Sequence, residues 1–203
     1  MRKRLALSIG MLALVCSGTV EAGPITYTET VTGSGSLDGQ GFTNALITIT
    51  GTGDTTNISG SGPLRINIVS TTVTIAGGNS DTFQDVIQAV ANNNAGTNGS
   101  VAGFGDVTNK FFLLGTSSPA LATYDLATPI GPIADRVIYN PGLTFKVTGG
   151  IFRINSVSSL STFTASTSAA VPEPASLAMM GLGLALAATA ARSRARKSPK
   201  SPA

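Results

Sequence analysis

The chain has 203 residues, of which 42% are hydrophobic and only 11% charged, with 24 glycines, one cysteine, no tryptophan and no histidine. Without histidine, Ser-His-Asp and Cys-His nucleophilic sites are excluded, and a lone cysteine rules out the usual zinc centres. The formal charge of +3 looks basic, but its distribution along the chain decides what it means.

The N-terminus opens with Arg2-Lys3-Arg4, continues with an apolar run from Leu5 to Val15 and reaches Val20-Glu21-Ala22. A basic start, an apolar middle and small residues at the end are the three regions of a secretory signal peptide, so residues 1–22 are read as one, cut between Ala22 and Gly23 after Sec export by signal peptidase. The single cysteine, Cys16, leaves with it, and Ala13-Leu14-Val15 lacks the small residue that lipidation needs before the cysteine. The mature chain then forms no disulfide of its own.

Eight of the 13 basic residues lie in the two terminal segments. Between Gly23 and Val171 five remain (Arg65, Lys110, Arg136, Lys146, Arg153) against eight acidic residues, Glu29 and seven aspartates. The body is therefore mildly acidic, and the basic balance gives no argument for nucleic acid.

About 150 residues suffice for one domain with a core. Apolar residues alternate with polar ones at Ile47/Ile49, Ile66/Ile68, Val73/Ile75, Leu143/Phe145/Val147 and Phe152/Ile154, with threonine at many intervening positions. This period of two predicts half-buried strands, and Tyr27–Thr32, Lys110–Leu114 and Arg136–Tyr139 are weaker candidates. Gly33-Ser34-Gly35-Ser36, Asp38-Gly39, Gly51-Thr52-Gly53-Asp54, Gly60-Ser61-Gly62-Pro63, Asn140-Pro141-Gly142 and Gly149-Gly150 read as turns between them, the last as the clearest hairpin. Phe111-Phe112-Leu113-Leu114 is too continuous for a half-exposed strand and is read as core.

One stretch breaks the pattern. Asp81 and Gln84 stand at capping-box spacing, and Phe83, Val86, Ile87 and Val90 fall on one helical face, which predicts a single helix ending before Asn92. The expected fold is all-β, an antiparallel sandwich or barrel with one short helix. The β domain is placed at 23–160 and a Ser/Thr-rich linker at 161–171.

Candidate chemistry is sparse. Most aspartates stand beside Gly, Ser or Thr, where they cap turns, and the body has three tyrosines and no tryptophan for a sugar to stack on. No catalytic residues are assigned and an enzyme is not expected. Calcium is the one cofactor considered, through the loop aspartates Asp38, Asp54, Asp106 and Asp125, although no D-x-D-x-D run gathers them and no metal site is assigned.

The C-terminus carries the most specific signal. Val171-Pro172-Glu173-Pro174 is followed by the apolar run Ala175–Ala191 and then by Arg192, Arg194, Arg196 and Lys197. Seventeen residues of helix span roughly 25 Å, the short end of what crosses a bilayer, and the run holds no charge. The basic cluster would stay cytoplasmic, leaving the body outside. Proline-glutamate-proline, short apolar helix and basic end, in that order, resemble the PEP-CTERM sorting signal of exported bacterial proteins. The resemblance covers residues 172–203, with the membrane helix at 175–191 and the basic end at 192–200. It implies recognition at Pro172, Glu173 and Pro174 by an exosortase-like membrane protease and transient retention in the inner membrane. It also implies delivery to the cell surface or extracellular matrix, typically of an exopolysaccharide-making Gram-negative species. The expected role is structural and non-catalytic; the alternative is an exopolysaccharide-binding module.

Overall fold

In the computed structural model, residues 23–94, 96, 99–106 and 111–167 are described, and they fold as ten strands with no α-helix. These are β1 (Pro24–Leu37), β2 (Gln40–Asp54), β3 (Leu64–Ile75), β4 (Ser80–Thr82), β5 (Gln88–Asn92), β6 (Val101–Asp106), β7 (Phe111–Ser117), β8 (Ile130–Ile138), β9 (Thr144–Val147) and β10 (Gly150–Thr167). Short 3-10 turns follow at Thr55–Asn57 and Pro119–Leu121. The signal peptide (1–22), the membrane helix (175–191) and the basic end (192–200) lie outside the described residues; within these, no helix is long and apolar enough to cross a membrane.

Alternation builds the walls. In β1, Ile25, Tyr27, Glu29 and Val31 point inward while Thr26, Thr28, Thr30 and Thr32 point outward, as the pleat requires of a strand with one wet face. The chain then turns at Asp38-Gly39, whose φ angles of 54° and 76° make the two-residue hairpin that matches strand twist. Every pairing is antiparallel, in the order β1-β2-β3-β5-β6-β7-β8-β10, and β10 pairs back onto β1. Eight strands thus close a barrel with no free edge around the ring.

The long strands serve two closures. The second half of β10 pairs with β8 and its start with β9; likewise β3 pairs with β5 through Leu64–Ile68 and with β4 through Thr72–Thr74. A bridge between Phe83 and Val147, with Thr148 N–H donating to the Thr82 carbonyl and Gln84 N–H to that of Lys146, joins β4 to β9. At this end a smaller ring therefore closes the wall, filled by Phe83 edge-on to Phe145 and Phe152 at 6.1 and 5.8 Å between centroids. The other end is stopped by the segment between β7 and β8, which buries Leu121, Tyr124 and Leu126 against Phe163 and Tyr27.

Three expectations are corrected. The predicted helix is absent: Ser80–Thr82 and Gln88–Asn92 are strands. The Asp81 carboxylate, instead of capping a helix, accepts the N–H of Gly149, 68 positions away, and long-range pairing prevails over the local period. The glycine runs Gly33–Ser36 and Gly51–Asp54 are strand interior, not turns. A side chain at Gly33 would press on the Ser156 carbonyl at 2.7 Å and one at Gly51 on the Phe104 ring at 2.5 Å, so these glycines admit close neighbours, with ladder irregularities on β1 around Gly33 and Gly35. Finally, residues 161–167 are wall, not linker: β10 runs to Thr167 with Ser161, Phe163 and Ala165 buried.

Candidate functional sites

The inward phase of β1 places two polar side chains inside the barrel. Tyr27 donates its hydroxyl to the Leu126 carbonyl at 2.7 Å and accepts from Asn67 Nδ2 at 2.9 Å. This ties β1 to β3 and to the plugging segment; burial pushes the phenol up to about 12, against the opposing pull of Asn67. Glu29 is fully buried; its Oε1 accepts from Thr116 Oγ1 at 2.7 Å, and Thr116 Oγ1 lies 2.7 Å from Ser161 Oγ. Burial pushes the carboxyl up to about 8, with the hydroxyls of Thr116 and Ser161 working the other way. Oε2 has no partner, and neither have Asn67 Oδ1, Thr71 Oγ1 or the Tyr124 hydroxyl. Burial raises Tyr124 as well. With Phe104 reaching across to Gly51, the interior is filled rather than open, and the carboxyl of Glu29 meets only protein.

A carboxyl pair stands at the opposite end, where the β1–β2 turn meets β4 and the β9–β10 turn. Asp81 accepts from Gly149 N–H at 2.7 Å and from Thr82 N–H at 2.9 Å. Burial opposes its charge, yet these donors and the hydrogen bond with Asp38 outweigh it and hold Asp81 below the usual range. Asp38 moves up, through desolvation first and then through its bond to Asp81 and that neighbour's charge. Both carboxyls crowd Gly149, where any Cβ would collide with the two of them.

The remaining aspartates considered for calcium are dispersed. Asp54 accepts from Thr56 N–H and hydroxyl, which lowers it; Asp125 accepts from Ala127 and Thr128; Asp106 ends β6. Among the described residues no three carboxylates are grouped as a metal would need. Phe111-Phe112-Leu113-Leu114 opens β7, with Leu113 and Leu114 in the core.

The outer wall has its own regularity. In register across β10, β1, β2 and β3 stand the rows Thr164-Thr28-Thr50-Thr72 and Thr162-Thr30-Thr48-Thr74, two neutral rows of hydroxyls and methyls. All eight phenylalanines and all three tyrosines are meanwhile buried or half-buried.

Of the sorting and cleavage residues, Gly23 alone is described. Its N–H donates to Thr55 Oγ1 at 3.1 Å and its carbonyl accepts from Thr55 N–H, which fastens Gly23 just beyond the end of β2. Ala22, Val171, Pro172, Glu173, Pro174, Arg192, Arg194, Arg196 and Lys197 lie outside the described residues. Their assignment rests on comparison, and residues 170–197 match a family model described as the PEP-CTERM protein-sorting motif. The chain carries a PEP-CTERM sorting signal. That signal implies export, transient membrane anchoring and processing by exosortase, a membrane protein. It covers the tail alone. No curated protein and no solved structure matches the chain.

The sequence pointed to the tail but not to Glu29. The available signal was its phase: a carboxylate at the inward position of an alternating strand, between Tyr27 and Val31.

Proposed function

We propose that this is a cell-surface or matrix-associated protein whose barrel plays a structural, non-catalytic part once the PEP-CTERM tail has delivered it. The observation that carries the reading is the closed, filled barrel: its most perturbed carboxyl, Glu29, is sealed among protein atoms, and Asp54 and Asp125 serve turns. An acid–base site needs a carboxyl within reach of a substrate proton, and Glu29 offers no such approach. Deleting the gene in the host and restoring it with the full chain tests the role. Weakened matrix cohesion, rescued by the wild type and by single Asp-to-Asn variants alike, is expected. A turnover abolished by one of those variants would overturn it.

The threonine rows favour one second reading, a glycan-binding module. Sugar-stacking platforms are scarce because the aromatic rings are buried or half-buried, so such binding would run through hydroxyls on β10, β1, β2 and β3. Saturable retention on the host's own exopolysaccharide, lost when Thr28, Thr30, Thr48 and Thr50 become alanine, would move the reading there. The sorting route is checked separately by intact mass: a species without residues 1–22 and without the basic end is expected outside the inner membrane.

A further inference from the structure

We propose that Glu29 is a proton-dependent lock, tying β1 to β7 and β10 across the interior, so that the barrel holds while the carboxyl is neutral and loosens when it ionises. Three observations meet here. Glu29 has no exposed surface, its donors are the hydroxyls of Thr116 and Ser161, and Oε2 has no partner. A buried carboxylate is stable as an anion with two or three committed donors or a cation beside it; two hydroxyls that also engage each other and the Gly115 carbonyl fall short. The groups facing it are uncharged: Thr116 from β7, Ser161 and Phe163 from β10, and Ile49 from β2. Tyr27, the titratable neighbour on the same face of β1, is itself held neutral, and no charge contributes to the upward displacement of Glu29.

The bonds make this a lock instead of a local defect. Thr116 lies opposite Val137 in the β7–β8 ladder, and Ser161 opposite Val31 in the β10–β1 ladder, its hydroxyl reaching on to the Gly115 carbonyl at 3.2 Å. The row Glu29, Thr116, Ser161 and Gly115, with Thr116 donating to Glu29 and Ser161 to Gly115, thus fastens one wall to the strands facing it. An anion at its head draws water into the contact or breaks it.

The sign follows from linkage. The folded protein keeps the Glu29 proton to about 8, whereas the unfolded chain releases it near the ordinary value of 4.5. Stability from this group is full below 4.5, falls between there and 8, and is flat above.

The test uses the full chain in detergent, unfolded with urea from pH 5 to pH 9. The wild-type unfolding constant should rise by a hundredfold or more across the range, while Glu29→Gln, neutral at every pH, should show a flat profile and the higher midpoint at pH 9. Parallel slopes, or a variant weaker at every pH, would overturn the proposal. A direct titration keeps it falsifiable if the variant does not fold. The chain has three glutamates, Glu21, Glu29 and Glu173, so carbon-13 labelling of glutamate carboxyls gives at most three resonances. One moving near pH 8 is expected; all moving together near the ordinary value refutes the lock.

Discussion

At the scale of single residues, the interior is governed by hydrogen-bond capacity more than by apolar volume. Tyr27 fills a large core position and also bridges Asn67 to Leu126. Replacing it with phenylalanine keeps the ring and removes both bonds, leaving the Asn67 amide and the Leu126 carbonyl buried without a partner. The expected loss is about 1–3 kcal/mol, measured as the urea midpoint at neutral pH, and Tyr27→Phe with Asn67→Leu together should cost less than the two changes summed. Gly149 is constrained differently. Its own conformation is ordinary, but a methyl group there would drive Asp38 and Asp81 apart and strip Asp81 of its Gly149 N–H donor. Gly149→Ala should destabilise by about 1–3 kcal/mol, an overpacking cost, with the reduced midpoint checked by thermal or urea unfolding. These positions also mark the limit of sequence reading. The inward phase of Tyr27 was visible in its alternation, whereas no local pattern announces that Asp81 will meet a glycine 68 positions later.

At the scale of elements, the legible strands were those in which β-branched or aromatic residues alternate with polar ones: β2, β3, β9 and β10 declared themselves through Ile47/Ile49, Val73/Ile75, Phe145/Val147 and Phe152/Ile154. The helix misreading has a definite cause. Phe83 and Ile87 do join the core, but from the segment between β4 and β5; Val86 is exposed, and on β5 it is Ala89 and Ala91 that enter the core cluster, not Val90, so the four residues share no face. Residues 101–106 offered no pattern because Val-Ala-Gly-Phe-Gly-Asp is buried on both faces and built from small side chains. Glycine was the most misleading letter, since it marks turns and close backbone approach equally well. The structure separates the two uses. At Gly39 nothing lies within 4 Å of an added Cβ and φ is +76°, so only backbone conformation is at stake. At Gly51 the obstacle is the Phe104 ring. Gly39→Val should therefore cost about 1–2 kcal/mol through strain alone, whereas Gly51→Val should be partly rescued by Phe104→Ala. A double-mutant cycle in urea distinguishes them, with coupling expected at Gly51/Phe104 and none at Gly39/Phe104.

For the molecule as a whole, the sequence located the end of the β domain poorly. The serine- and threonine-rich stretch after Leu160 read as a tether because its composition is that of a linker. Composition misleads here because threonine suits both a solvated coil and the wet face of a strand, and the inward residues Ser161, Phe163 and Ala165 are too few to stand out. Yet this half of β10 closes the barrel: it pairs with β8 on one side and with β1 on the other, and it supplies Ser161 to the Glu29 contact and Phe163 to the rings at the plugged end. Removing it opens both edges, exposes Phe163's neighbours and leaves β8 with β7 alone. A chain of residues 23–167 should then unfold in one cooperative step, while one of residues 23–160 should lack a cooperative transition by urea or heat and bind hydrophobic dye. If the shorter chain folds with the same midpoint, the barrel does not depend on its closing strand. If only the longer one folds, the sorting signal begins almost where the fold ends, and the wall itself reaches to within five residues of Pro172.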